Sequence, residues 1–94
     1  MEYLLSAQAI ADLDDIADYI SQDDGERAVA FVAELTERFD VVAERPLSFP
    51  TSADLPAEYR SSLHGKYRII FEMIEGIPHI LRVLHGARDI GGLF

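Results

Sequence analysis

The sequence contains no cysteine, only 4 prolines and few bases, with 8 lysines and arginines against 17 acids. The missing cysteine excludes disulfides, thiolate chemistry and cysteine-ligated zinc, and it suits a reducing cytoplasm. No apolar run is long enough to span a membrane. The opening "MEYLLSAQAIADLDDI" has no basic start and its apolar residues are broken by acids, so it does not read as a secretory signal. A net charge of −9 argues against a general nucleic-acid binder, because phosphate contacts need positive potential. Glycine is sparse as well, and "HGARDIGG" has neither the pattern nor the context of a phosphate-binding loop. Ser61 and Ser62 lack the glycine elbow of a nucleophile, and His64, His79 and His85 lack paired metal-ligand spacing. No cofactor or metal is expected.

What remains is ample apolar content in a chain of one-domain length, residues 1–94. Folding at this size buries roughly 60–65% of the surface the unfolded chain exposes, enough for one modest core. Charge is polarised along the chain. Residues 1–44 carry 12 acids and only Arg27 and Arg38 as bases, whereas residues 45–94 carry 5 acids and 6 bases.

"EYLL" reads as an opening strand and Ser6 as a helix N-cap. Ile10, Leu13, Ile16, Ala17 and Ile20 recur at helical spacing, which predicts a helix ending near Gln22. Asp12, Asp14, Asp15 and Asp18 fall on its opposite side and read as a solvated face, since their spacing matches no hard-cation loop. Asp23 with Glu26 resembles a capping box, and Ala28, Phe31, Val32, Leu35, Phe39 and Val42 mark a second helix that Pro46 stops. Two helices with so short a link form an antiparallel hairpin.

Three of the four prolines fall in "PLSFPTSADLPA", residues 46–57, a loop. Beyond it the hydrophobic period changes to two. "YRSSLH", "YRIIFEMI" and "HILRVLH" read as strands, the last two forming a hairpin through "EGIP". Helices segregated from an antiparallel sheet define the α+β class: an N-terminal strand, a two-helix hairpin, then a three-stranded antiparallel region.

The late bases are the candidate site. Alternation places Arg68 opposite Tyr67, Ile69, Phe71 and Met73, hence on a free sheet face if that apolar row meets the helices. Arg82 faces either side depending on hairpin register: across from Phe71 it lies core-side, across from Ile70 outside. It is either half of a structural ion pair, with Glu72 the candidate acid, or part of a basic patch that meets a phosphate or carboxylate. His85, ending the last strand beside Gly86, is either an acid–base group or a structural cap. Arg60, Lys66 and Arg88 complete the basic set, and the apolar stretch Ile90–Phe94 is a contact candidate.

The order of elements, together with "ADLDDIADYI", "RAVAFVAEL", "YRIIFEM" and above all "RVLHGARDI", resembles the ParE/RelE superfamily of type II toxin–antitoxin toxins, and within it the ParE branch. The resemblance implies that a ParD-like antitoxin is the cognate partner, that DNA is met only through the antitoxin complex, and that the target is DNA gyrase, inhibited by contact. The RelE branch implies a ribosome-dependent mRNA endoribonuclease instead. Its paired lysines correspond here to Arg60 and Ser62, its strand arginine to Arg68, its late arginine to Arg88, and its terminal tyrosine to Phe94. Serine brings no positive charge and phenylalanine no exchangeable proton, so this set is incomplete for catalysis. The expected contact residues are Arg60, Arg68, Arg82, His85, Arg88 and Phe94. Gly86 is expected to turn the chain so that Arg88 joins Arg60 and Arg68 on one exposed cationic surface.

Overall fold

In the computed structural model, residues 2–56 and 58–86 are described. A two-residue strand β1 (Leu4–Leu5) leads into helix α1 (Ala7–Ser21) and helix α2 (Gly25–Glu44). One short 3-10 turn, Pro46–Ser48, begins the proline-rich loop. Strands β2 (Arg60–His64), β3 (Tyr67–Ile74) and β4 (Ile77–His85) follow. The α+β expectation holds. The sheet runs in the order β1-β4-β3-β2, with β1 parallel to β4 and the other pairs antiparallel.

Local chemistry sets the helix ends. The Ser6 hydroxyl accepts the Ala9 N–H at 2.9 Å, which caps α1. Asp24, one residue beyond the expected Asp23, caps α2 by accepting the Arg27 N–H at 3.1 Å. The two helices bury Ala9, Ile16, Phe31, Leu35, Phe39 and Val42 against Ile69, Phe71, Ile80 and Val83 of the sheet. Full burial of each large apolar side chain is worth roughly 1.5–3 kcal/mol before chain entropy is counted.

The apolar face of α1 is rotated from the expected one. Ile10 is 49% exposed, while Asp12 is buried at 8%. Asp12 therefore does not belong to the solvated acid face. Its reason for facing inward lies 70 residues away, in β4.

Both hairpin turns have two residues. Gly65 (φ 58°) serves the β2–β3 turn, and Glu75 (φ 52°) with Gly76 (φ 79°) the β3–β4 turn. Two consecutive left-handed residues match the twist of antiparallel strands. In β4 the register moves from Phe71↔Ile80 to Ile70↔Arg82, so Leu81 is an extra, bulged residue.

The far side of the sheet is not free. Leu55 and Tyr59, from the loop before β2, pack on Ile70 and Leu84 there, so this small chain buries a second apolar cluster. Among the described residues no helix is long and apolar enough to cross a membrane.

Candidate functional site

The sheet distributes the expected site residues rather than gathering them. Arg60 pairs across from Phe71, on the helix-facing side, and its Nη1 donates to the Phe49 carbonyl at 2.7 Å. Arg68 lies on the opposite face. Its guanidinium donates from Nη1 to Asp54 Oδ2 at 2.7 Å and from Nη2 to Oδ1 at 3.3 Å, with a further 3.3 Å bond to Ser61 Oγ. Asp54 also accepts from Ser52 Oγ. The Arg68 and Ser52 hydrogen bonds hold the Asp54 carboxyl down to about 2.

Arg82 sits at the other end of the sheet order. The ladder places it across from Ile70, and its guanidinium grips Asp12 of α1 through Nε at 2.8 Å and Nη2 at 3.0 Å. Asp12 Oδ2 also accepts the Val83 N–H at 2.9 Å. Strand β1 pairs with His79 and Ile80, and among the described residues no strand neighbours the edge of β4 beyond Ile80. Asp12 supplies the missing acceptor, and the Ser6 hydroxyl donates to the Leu81 carbonyl at 2.7 Å on the same edge. The Asp12 hydrogen bonds push the Arg82 pKa upward. Of the two readings of Arg82, the internal ion pair is the one observed, with Asp12 rather than Glu72 as its acid.

His85 faces Tyr67 across the hairpin, with their rings 5.5 Å apart in a T-shaped arrangement. Gly86 donates its N–H to the Lys66 carbonyl at 2.6 Å, and a Cβ there would sit 3.2 Å from that same oxygen. Close approach, rather than a left-handed turn, is what the position demands. Arg88, Phe94 and the stretch Ile90–Phe94 lie outside the described residues. A single exposed cationic surface is thus not formed by Arg60, Arg68 and Arg82. Each is held by an acceptor within the chain, and two of them by a carboxylate.

One basic residue that sequence reasoning did not select is Arg38, on α2. Its Nε donates to Ser62 Oγ at 2.9 Å, and its guanidinium lies 5.6 Å from the Phe49 ring centroid. Ser62 is 97% shielded, and among the described residues its one side-chain hydrogen bond comes from Arg38. A cation therefore stands beside Ser62 although the strand itself provides none. The sequence signal was there: Arg38 directly precedes the core residue Phe39, in the acidic half of the chain where Arg27 is the only other base. Arg27 is paired with Glu34, which also meets His64 at 3.1 Å, and these two bonds lower the Glu34 pKa. Among the described residues, no cluster of histidines and acids is arranged to hold a metal ion.

A short first strand in parallel with the last, a helical hairpin on one sheet face and a loop over the other together make a small toxin scaffold of the ParE/RelE kind. A solved structure described as the chromosomal ParDE toxin–antitoxin system from P. aeruginosa superposes with a TM-score of 0.78, covering 90% of this chain and 95% of that one at 20% identity. At that identity the likeness is one of fold. Toxin ParE1 of Caulobacter vibrioides is 37% identical over 88 residues, spanning 93% of this chain and 91% of the relative. The family described as the ParE toxin of the type II toxin–antitoxin system parDE matches residues 3–90. The chain belongs to the ParE toxin family, and so to the toxin half of modules whose other half is an antitoxin.

Proposed function

We propose that residues 1–94 act as one toxin domain that inhibits DNA gyrase in the cytoplasm by protein contact and is neutralised by a ParD-like antitoxin. The observation that carries this reading is the family match across residues 3–90, joined to the ParE-like "RVLHGARD" segment. The state of the arginines supports contact over hydrolysis. Arg68 holds the position of the strand arginine in RelE-type nucleases, but its charge is compensated by Asp54. A guanidinium already engaged by a carboxylate contributes little to stabilising a developing phosphorane. Arg60 donates to a backbone carbonyl, and Ser62 brings no charge of its own.

The test is a supercoiling assay with purified gyrase, relaxed plasmid and ATP, with toxin added alone or after incubation with the antitoxin encoded beside it. Loss of supercoiling that the antitoxin restores is the expected result. In parallel, toxin is added to a translation extract. Message cut at the ribosomal A site, with supercoiling unaffected, would overturn the proposal in favour of the nuclease reading.

A further inference from the structure

The cation best placed to meet a partner is Arg38, not the sheet arginines. It lines an open cleft of about 480 Å³ that follows the edge strand β2, together with Phe49, Ser52, Ser61, Ser62 and Arg68. Its side chain is fixed from two directions. Nε is tied to the buried Ser62 hydroxyl, and the guanidinium plane is braced by Phe49. Among the described residues, its two terminal amino groups make no hydrogen bond and no carboxylate pairs with it, in contrast to Arg27, Arg68 and Arg82. An arginine whose stem is immobilised and whose fork is open has already lost most of the rotamer freedom that binding would remove.

We infer that this cleft receives an acidic side chain of a protein partner, with the carboxylate on the open fork of Arg38. Three observations select a peptide carboxylate over a nucleic-acid phosphate. The cleft is partly apolar, with Phe49 inside it and Leu63, 64% exposed, on its rim. Glu34 and Glu37 border the other flank of Arg38, so a polyanion carrying further charges on either side would be repelled. The third is that the chain satisfies the neighbouring guanidinium of Arg68 with a carboxylate, Asp54, offered from an irregular segment. The preferred partner segment therefore carries one aspartate or glutamate flanked by apolar residues. This inference goes beyond the gyrase reading and does not require it, and its test uses neither gyrase nor antitoxin.

The full chain, labelled with ¹⁵N, is titrated with the blocked tripeptide acetyl-Leu-Glu-Leu-amide, with its glutamine counterpart, and with inorganic phosphate, while the arginine Nε–H signals are followed. Saturable movement of the Arg38 signal by the glutamate peptide is expected, at least fivefold weaker with glutamine. Arg38→Ala should abolish binding, and Arg38→Lys should weaken it several-fold because lysine lacks the fork. Since Arg38→Ala also strips Ser62 of its donor, Phe49→Leu serves as a second variant that leaves the Ser62 bond in place, and it should weaken binding about threefold or more. Equal binding of the glutamate and glutamine peptides, unchanged binding in Arg38→Ala, or no movement at all would overturn the inference. Phosphate binding as well as the peptide would do the same, leaving an unselective anion contact.

Discussion

Replacing Asp12 by alanine isolates the device that holds α1 to β4. The carboxylate accepts two bonds from Arg82 and one from the Val83 N–H, and the two side chains are only 10% and 14% exposed. The substitution leaves a shielded guanidinium without its counter-ion, for which breaking a buried pair costs about 3–5 kcal/mol. Residual access to water argues for the lower end of that range, with the cost of the orphaned Val83 N–H included in it. A loss of about 3 kcal/mol is a large share of the roughly 5–15 kcal/mol that a domain of this kind possesses. In a chain of this length it lowers the melting temperature by on the order of 15 °C. Urea unfolding followed by far-UV circular dichroism measures the loss directly. Asp14→Ala, on the exposed side of the same helix, is the control and should change stability by no more than about 0.5 kcal/mol. The double variant Asp12→Leu/Arg82→Met should recover at least half of the loss, because neither charge then remains buried. If Asp12→Ala costs no more than Asp14→Ala, the pair is a surface ion pair and the account of the β4 edge is wrong.

Three further outcomes follow from the same geometry. The Asp54 carboxyl titrates at about 2 in the folded chain and near its ordinary 3.8 when unfolded, so its contribution is present above the unfolded value and fades as pH falls through the folded one. Asp54→Asn should flatten that part of the acid limb of a stability-versus-pH curve between about pH 4 and 2, and an unaltered limb would contradict the Arg68 contact. Leu55→Ala should cost about 2 kcal/mol by chemical denaturation, since it empties the cluster over Ile70 and Leu84; a negligible loss would mean the loop does not cover that face. Glu75→Asn should raise stability by up to about 1 kcal/mol, because asparagine tolerates the φ of 52° better than glutamate does, and a lower melting temperature would refute the turn assignment.

The helices, the β3–β4 hairpin and the side of β3 that meets the helices were legible because each is written in local periodicity. Phe31, Leu35, Phe39 and Val42 repeat at helical spacing, and Ile69, Phe71 and Met73 alternate. Asp12 was misplaced because its inward turn depends on Arg82 and on a bulge at Leu81, neither of which helical spacing encodes. The cover over the outer sheet face was missed for a related reason: Leu55 sits alone among polar and proline residues, and one apolar residue has no period. At the site, alternation put Arg68 on the correct face, but the carboxylate waiting there came from the loop. Arg38 was not legible because it lies on a helix in the acidic half of the chain and meets Ser62 only through a contact 24 residues away.

The pairing of Leu4 with His79 and Leu5 with Ile80 joins segments more than seventy positions apart. During synthesis the first strand leaves the ribosome long before its partner has been translated. Both helices can coil while they wait, but they have no sheet to rest on. Contacts this distant along the chain slow folding. A ribosome that halts before translating β4 therefore releases a fragment with neither a complete core nor a completed sheet. Such a fragment lacks Ile80 and Val83 from the core and the strand that bridges β1 to β3.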